Sequence, residues 1–539
     1  MCSEKTRAPV SMILKAQELL QIDEAFIRHL REKDPDALAT LSLKLANDLK
    51  EAMERLNQKP SNSSKPSGSL ALWDKGGTDE DDAPHGLTVP VEVEGPAEGL
   101  ETPDDSAEKN VPATDADVPA KRPGRQIGSQ GFGRTQKLIV TAIEHHPCPA
   151  CPVCQTEVRA QETAYTGFYE VNLRFGDAQA PGIQLTTTRH LYYSACCPHC
   201  GLTVRSQPHR APGDSEEWTA VGLTEWRLIG PDLAALIVYL SMDMRLSRNQ
   251  VQRFLFDLFG LKLSIGSLQN CLLESARALS PIEQQLANDL LRDSLIHADE
   301  TAHPEAMHRL WLWVFVNART ALFLIGYRNK EILNNLLDSV LPRFSGWLMS
   351  DGYAVYRDHP KRLRCWTHLI RKVVGVSESY QTSARTLGDQ MLRHLKHVMS
   401  AIYQAREGPD QGQRSIAEEH QATLDALRHV CETMALSTHD KTRALGREFL
   451  NDWDAIFRIL EYPAWPLTNN EAERALRHWV ILRKITYGTR SPQGSRALAL
   501  FASVITTCRL RGHSPLLYVR DVIQLRRRGL EAPPIPAPV

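Results

Sequence analysis

Three carboxylates stand in settings that favour metal-assisted chemistry. Asp299 and Asp351 each end an apolar run, and Glu473 lies in the first turn of a predicted basic helix. Carboxylates at the ends of neighbouring strands, joined by a third from a helix, can hold two divalent metal ions about 3.5–4 Å apart. Such ions activate a water or a 3′-hydroxyl for in-line attack on a phosphodiester. The three acids therefore predict a site that cuts or joins nucleic acid strands, although an aspartate at a strand end can also be a turn residue.

The elements that must position these acids follow from hydrophobic periodicity. Strand patterns occupy five segments, and an amphipathic helical pattern falls between the third and the fourth. The order β-β-β-α-β-β, followed by helices, is that of a ribonuclease-H-like core and places Asp299 and Asp351 on adjacent central strands. The strand segments are 295–298, 310–316, 321–327, 347–350 and 363–367, and the helical one is 330–341.

The third acid lies beyond a long helical stretch. Residues 373–462 are rich in helix formers, which predicts an α-helical insertion between the second acid and the third. Thr468 and Glu471 match an S/T-x-x-E capping box, so we expect Glu471 to bond back to the helix start and Glu473 to bind metal. Arg477 lies one turn further on, where it can pair with Glu473 or contact a phosphate.

Two C-x-x-C pairs predict structural zinc. Four thiolates from two such turns can surround Zn²⁺ tetrahedrally, and the segment between the pairs is rich in strand formers. We therefore expect a zinc ribbon. The predicted ligands are Cys151, Cys154, Cys197 and Cys200, with Cys148 and Cys196 as thiols that could replace one of them.

Residues 231–279 predict three short helices with helix-turn-helix spacing. One begins after Leu246, a turn passes through Gly260, and another begins at Ser264. In such a motif the start of the second helix enters the major groove of DNA. The candidate base-reading residues are Ser267, Gln269 and Asn270. An ordinary pair of packed helices would give the same pattern.

Composition and charge narrow the class of protein. The chain has 539 residues, of which 42% are hydrophobic, and eleven cysteines. No apolar run approaches the ~20 residues of a membrane span, and the N-terminus has no secretory pattern. We therefore expect the protein to lie in the cytosol, with its cysteines reduced.

The charges are segregated along the sequence. Residues 78–118 hold thirteen acids and one base, whereas 474–528 hold twelve bases and one acid. The basic block suits a polyanionic partner or is a solvated face.

The ordered motifs resemble one family, the transposases of insertion sequence 66. The resemblance covers about residues 148 to 523. The matching segments are the two C-x-x-C pairs, Leu246–Ser267, His297-Ala-Asp-Glu-Thr301, Ser350-Asp-Gly-Tyr353, Cys365-Trp-Thr-His368, Asn469-Asn-Glu-Ala-Glu-Arg474, Gly494-Ser-Arg496 and the tail from Arg509 to Asp521.

That resemblance implies a DDE transposase with Asp299, Asp351 and Glu473 as its triad. It further implies two Mg²⁺ (or Mn²⁺) ions, terminal inverted repeats and target DNA as substrates, and action as a homo-oligomer in a bacterial cytoplasm, with or without element-encoded helper proteins. His368 matches a family position, which leaves open an orienting, DNA-contacting or structural role. The expected phosphate contacts are Arg474, Arg477, Arg483 and Lys484. A domesticated DNA-binding regulator and a nuclease without strand transfer are the alternatives.

The expected fold class is multidomain α+β. A ribonuclease-H-like α/β core carries an α-helical insertion and is preceded by a zinc ribbon and a helix-turn-helix module. The predicted segments are an N-terminal helical one (1–56), an acidic linker with a basic end (57–136), the zinc ribbon (137–212), the helix-turn-helix region (213–290), the core (291–372 and 463–505), the insertion (373–462) and a basic C-terminal segment (506–539).

Overall fold

The computed structural model describes residues 24–56, 136, 138–159, 163–176, 179, 181–212, 221–328 and 344–539. These residues form a mixed α+β structure, which confirms the expected class at that level. The predicted acidic linker, apart from Gln136, and the predicted helix at 330–341 lie outside the described residues. Among those described, no helix combines the length and the apolarity that a membrane crossing requires.

Two helices, α1 (Glu24–Lys33) and α2 (Pro35–Leu56), begin the described chain. They are separated at Asp34, whose carboxylate accepts a hydrogen bond from the Ala37 amide at 2.9 Å. Asp34 thus caps α2, and proline is tolerated in its first turn, where the missing N–H has no helical acceptor. The chain thus breaks between the two helices at Asp34-Pro35.

The cysteine-rich region is built of short strands. Strands β2 and β3 are antiparallel, and β1 runs parallel to β3 at the sheet edge, so the strand order is β1-β3-β2. Strands β4 and β5 form a separate antiparallel pair. The strand-rich segment predicted between the two C-x-x-C pairs is confirmed. The bounds are β1 (Ala142–His146), β2 (Thr166–Phe175), β3 (Ile183–Tyr192), β4 (Ser194–Cys196) and β5 (Thr203–Arg205).

The three helices predicted over 231–279 are present. Ser247 and Gln250 form a reciprocal capping box before the second, Gly260 ends that helix at φ 62°, and the Ser264 side chain caps the third. Glycine at this left-handed position carries no Cβ penalty. The helices are α3 (Pro231–Val238), which continues into a π-helical turn (Tyr239–Asp243), α4 (Arg248–Phe259), α5 (Ile265–Leu279) and a fourth, α6 (Ile282–Leu291).

A five-stranded mixed sheet lies at the centre of the described chain. Its order is β10-β9-β6-β7-β8, with β6 parallel to β9, β9 parallel to β10, and β7 antiparallel to both β6 and β8. All five predicted strands are present, although β6 continues beyond its predicted end at 298 and β10 ends before its predicted end at 367. Strands β7 and β8 form a hairpin that turns at 317–320. The bounds of the five strands are β6 (Leu295–Glu305), β7 (His308–Val316), β8 (Ala321–Gly326), β9 (Trp347–Ser350) and β10 (Arg362–Arg364).

Helices interrupt the chain after β10, as residues 373–462 predict. Their apolar faces form a core of their own around Met391, Leu427 and Phe449, separate from the core beneath the central sheet. The bounds are α7 (Trp366–Ser377), α8 (Thr382–Glu407), α9 (Gln421–Ala435), α10 (Asp440–Asn451) and α11 (Trp453–Phe457).

Three final helices, α12 (Asn470–Thr486), α13 (Pro492–Leu510) and α14 (Pro515–Arg527), return to the sheet. Helix α13 covers edge strand β8. The Ser503 hydroxyl accepts from the Phe323 amide at 2.8 Å, and the Thr507 hydroxyl accepts from the Ala321 amide at 3.0 Å. These hydroxyls satisfy backbone groups that an open edge would offer to another chain.

Candidate functional site

Asp299 and Asp351 lie at equivalent positions on neighbouring parallel strands. The last registered pair of β6 and β9 is His297 with Met349, and each acid follows two residues later. The Glu300 amide donates to Asp299 Oδ1, and the Tyr353 amide donates to Asp351 Oδ1, each at 2.8 Å. Asp299 lies within β6 and Asp351 follows directly after β9. The two side chains are therefore neighbours at the point where β9 ends, with their carboxylates oriented by adjacent backbone.

The surroundings of Asp299 disfavour its charge. Burial raises the pKa of this carboxyl well above its usual value, and the charges of Glu300, Asp351 and Glu473 raise it further. Acids that cluster against their own repulsion are stabilised by a divalent cation, and carboxylate oxygens are the donors that Mg²⁺ and Mn²⁺ prefer. The donor set thus fits the ions that the sequence motifs imply.

Asn469 fixes the start of α12, the helix that carries Glu473. The Asn469 side chain donates to the Ala298 carbonyl at 2.8 Å and lies 3.1 Å from His297 Nδ1. Its backbone amide donates to the Cys365 thiol at 3.3 Å. One asparagine thus ties the helix to the strand of Asp299 and to the segment after β10.

The capping box predicted from Thr468 and Glu471 is wrong. The helix begins at Asn470, its N-cap is Asn469, and no side chain caps it. Glu471 instead lies 3.7 Å from the Arg474 guanidinium at the surface. The physical reason is that Asn469 is buried and uses its polar atoms in tertiary bonds, which the local pattern does not reveal.

Replacing Asn469 by alanine is expected to destabilise the protein by about 1–3 kcal/mol, because it leaves the buried Ala298 carbonyl and His297 without this partner. The free energy of unfolding in urea measures the effect. Asn470→Ala, at the exposed neighbouring position, is the matched control and should change stability by less than about 0.5 kcal/mol. Equal effects of both substitutions would contradict the anchoring role of Asn469.

Cys365 and His368 complete the surroundings of Glu473. Ligand atoms of these three residues lie within 4.8 Å of one another, and His368 Nε2 is 3.9 Å from Glu473 Oε1. Among the described residues, His368 Nδ1 and Glu473 Oε1 are buried without a hydrogen-bond partner. Burial lowers the pKa of His368. A neutral imidazole therefore faces the third acid, where it can orient that carboxylate.

Glu300 is a buried acid that sequence reasoning missed. Its carboxylate accepts from the Arg328 guanidinium at 2.7 and 3.1 Å and from the Tyr356 hydroxyl at 2.6 Å. The guanidinium lies 4.1 Å from the ring centroid of Trp311 and 3.8 Å from that of Tyr353. Burial and Asp351 raise the pKa of Glu300. Glu300 is part of the motif His297-Ala-Asp-Glu-Thr301, and its place beside Asp299 in that motif is the sequence signal that could have identified it.

The bases predicted to contact phosphates differ in exposure. Arg474, Arg477 and Lys484 are exposed on α12. Arg483 is half-buried, and its guanidinium donates to the Thr301 hydroxyl at 2.8 Å and to the Ala302 carbonyl. It therefore links α12 to β6.

Much of the basic C-terminal block is neutralised by acids from earlier in the chain. Four arginines form ion pairs with acids on the helices and the π-helical turn of residues 231–291, so the charge segregated along the sequence is not segregated in space. The pairs are Arg496–Glu283, Arg509–Asp243, Arg511–Asp289 and Arg527–Glu274.

The residues predicted to read bases lie at the start of α5. The Ser267 hydroxyl is 2.9 Å from that of Ser264, and its amide donates to the same oxygen at 3.0 Å, so Ser267 is part of the helix cap. Gln269 is half-buried and Asn270 is exposed.

The four predicted zinc ligands come together. Their sulfur atoms lie within 4.8 Å of one another, with separations of 3.5 Å (Cys151–Cys200), 3.4 Å (Cys154–Cys197) and 3.7 Å (Cys154–Cys200). Sulfurs bound tetrahedrally to Zn²⁺ at about 2.3 Å are separated by about 3.8 Å, which this arrangement approaches.

The two other thiols of this region bond to backbone. Cys148 donates to the Tyr193 carbonyl, and Cys196 donates to the Gly201 carbonyl, each at 3.2 Å. The donor set and spacing of the four-cysteine cluster fit zinc without either of them.

Comparison with known proteins identifies the family to which this chain belongs. The model of the family described as "Transposase IS66 family" matches residues 227–497, half of the chain. Two similar proteins come from Sinorhizobium fredii (strain NBRC 101917 / NGR234), and both are described as uncharacterized. Protein y4qI is 26% identical over 45% of this chain and 49% of its own length, and y4hP is 23% identical over 55% and 59%. The chain thus spans about half the length of the relatives it matches.

Proposed function

Because the chain belongs to the IS66 transposase family, we propose that it is a DNA transposase. It binds the terminal inverted repeats of its insertion sequence and catalyses metal-dependent 3′-end cleavage and strand transfer. The observation that carries the proposal is the meeting of Asp299 and Asp351 at the point where β9 ends, with Glu473 close enough to raise the pKa of Asp299. Clustered carboxylates with perturbed pKa values are typical of active sites.

The proposed fold of the catalytic core is ribonuclease-H-like, divided between residues 291–372 and 463–505. What supports it is the mixed sheet with the order β10-β9-β6-β7-β8 and the return of α12 after the helical insertion. The helix-turn-helix region (213–290) and the zinc ribbon (137–212) are proposed to locate the end sequence. DNA, further copies of this chain and element-encoded helper proteins are the proposed partners.

In the proposed mechanism Asp299, Asp351 and Glu473 hold two Mg²⁺ ions. When bound, the ions supply Lewis acidity to the attacking and leaving oxygens of the phosphodiester. The protein supplies orientation: backbone amides fix both aspartates, and Asn469 fixes the helix that carries Glu473. His368 acts through Glu473 as a positioning residue, because its Nε2 faces that carboxylate.

The proposal is tested by incubating the full chain with a labelled duplex that bears the element's own terminal repeat, with and without Mg²⁺. Metal-dependent nicking at the 3′ end followed by joining to a target duplex is the expected result. Nicking without joining would favour a nuclease. Binding of the repeat without chemistry, with helper proteins present, would replace the proposal by a DNA-binding regulator.

Substitution of one cluster cysteine is expected to remove the proposed structural zinc. Cys151→Ser should lower the zinc content by one ion per chain, because serine does not supply the thiolate that this site needs. Cys148→Ser is the matched control, since the Cys148 thiol bonds to the Tyr193 carbonyl, and it should keep the wild-type zinc content. Zinc per chain is measured by mass spectrometry of the metal. Loss of zinc only in Cys148→Ser would reassign the ligand.

Neutralising an exposed base of α12 is expected to flatten the salt dependence of DNA binding. Lys484→Gln should change the slope of log affinity against log salt by about 0.9 if it contacts one phosphate. Arg483→Gln should change the slope less and lower the thermal stability more, because Arg483 bonds to Thr301 and Ala302. Binding titrations at several salt concentrations give the slopes. An unchanged slope in Lys484→Gln would remove its assigned role.

A further inference from the structure

A second group of metal-binding side chains lies on the sheet β1-β3-β2, apart from the four-cysteine cluster and from the carboxylate site. Glu144 and His146 are on β1, and His190 is on β3, where it is registered opposite Glu144. Residues two apart on a strand share a face. The parallel pairing therefore brings all three side chains to one face, and their ligand atoms lie within 4.8 Å of one another.

The separations between these atoms fit a common ion. His146 Nε2 lies 3.0 Å from His190 Nδ1, and His190 Nδ1 lies 3.4 Å from Glu144 Oε2. Nitrogen and oxygen ligands bound tetrahedrally to Zn²⁺ at about 2.0–2.1 Å are separated by about 3.3–3.4 Å. Two imidazole nitrogens and a carboxylate oxygen thus have the spacing of three ligands around one ion.

Ring stacking holds His190 in place. The imidazole is half-buried between the ring of Phe168, at 4.6 Å between centroids, and that of His146, at 5.3 Å. Its Nδ1 therefore faces His146 Nε2 and Glu144 Oε2 in a fixed orientation. A neutral imidazole has one nitrogen with a lone pair that can bind a metal ion.

We propose that Glu144, His146 and His190 bind a Zn²⁺ ion distinct from that of the four cysteines. Imidazole suits zinc and its transition-metal neighbours, whereas Mg²⁺ prefers oxygen ligands alone. Three protein ligands leave a fourth position for water. The ion joins edge strand β1 to β3, and β1 leads directly to the first C-x-x-C turn at Cys151. It therefore fixes the orientation of that turn relative to the sheet.

Zinc content of the full chain, without any affinity tag, tests the proposal. His146→Ala and His190→Ala should each bind one Zn²⁺ ion fewer than the wild type. His145→Ala is the matched control, because His145 is the neighbouring histidine on the same strand and contacts the Tyr193 hydroxyl instead; it should keep the wild-type content. Wild-type zinc content in both alanine variants would overturn the proposal. The contact between His146 and His190 in the wild type would then be a hydrogen bond only.

A milder variant keeps the test decisive if an alanine variant fails to fold. The Glu144 side chain is 58% exposed, so Glu144→Gln should keep the fold and weaken zinc binding at this site at least about tenfold, the lower end of the effect of outer-shell changes. Cobalt separates the two sites, because thiolate-to-cobalt charge-transfer bands arise only from the cysteines. Cobalt bound by Cys197→Ser without those bands would support the proposal. Unchanged zinc affinity in Glu144→Gln would oppose it.

Discussion

Alanine at Asp299, Asp351 or Glu473 is expected to slow metal-dependent strand nicking by about 10³-fold or more. In the proposed mechanism each acid supplies charge and ligand atoms for ions whose stabilisation of the transition state is several kcal/mol. A loss of ~4 kcal/mol corresponds to about 10³ in rate. The rate of nicking of the labelled terminal repeat is measured at saturating Mg²⁺. Affinity for the same duplex is measured in parallel and should fall far less, because the proposed phosphate and base contacts lie elsewhere.

Glu471→Ala is the matched control for this experiment. It removes a carboxylate from the same helical turn as Glu473, but Glu471 is directed towards Arg474 at the surface. Its nicking rate should remain within about fivefold of the wild type, because a surface ion pair is worth less than ~1 kcal/mol, which corresponds to about fivefold in rate. Full activity in Glu473→Ala together with loss of activity in Glu471→Ala would make Glu471, not Glu473, the proposed metal ligand. Full activity in all three alanine variants would remove the metal-site proposal altogether.

The central sheet could be predicted from the sequence because its strands are long apolar runs that end in polar residues. Asp351 stands directly after such a run and directly after β9, so its position follows from local pattern. Asp299 also follows an apolar run, but β6 continues beyond it to Glu305, which the local pattern does not reveal. The position of Glu473 does not. It depends on Asn469 bonding to Ala298 and His297, 171 and 172 residues away in the chain, and no local pattern encodes such a contact.

Charge was the least predictable property of the chain. The basic block suggested a continuous surface for DNA, yet Arg496 pairs with Glu283 and Arg509 with Asp243, over sequence separations of 213 and 266 residues. The buried ion pair of Glu300 was missed for the same reason, because its partner Arg328 follows a different strand, β8. Which bases remain exposed is decided by tertiary packing, and the exposed ones on α12 are those whose substitution tests DNA contact most directly.

The helical insertion is joined to the core by a buried ion network. Asp452, between α10 and α11, pairs with Arg364 of β10, with Arg362 at 3.0 Å and with Arg357 at 3.5 Å. Glu448 joins the network through Arg364 at 2.6 Å and Lys372 at 2.8 Å. The arginines and the lysine depress the pKa of both carboxyls against the opposing effect of burial. Both acids are therefore held in their charged form.

Asp452→Ala is accordingly expected to destabilise the folded protein by about 3–5 kcal/mol, the cost of leaving buried charge uncompensated. The Arg364 guanidinium, whose side chain is 1% exposed, would lose one of its two acidic partners while it remains buried. The midpoint of urea unfolding measures the change. Glu419→Ala, which breaks an exposed pair with Arg414 at 3.0 Å, is the control and should cost about 0–1 kcal/mol.

Asp452→Ala should also disturb the carboxylate site of Asp299 and Asp351 at temperatures below the unfolding transition. A Cβ added at Gly352, next to Asp351, would lie 2.6 Å from Arg364 Nη2 and 3.0 Å from Glu448 Oε1, so the network packs against the loop that carries the second acid. Nicking by Asp452→Ala should therefore fall at temperatures where the variant is still folded, whereas Glu419→Ala should keep the wild-type rate. A stable, fully active Asp452→Ala would show that the insertion is held to the core by its apolar contacts alone.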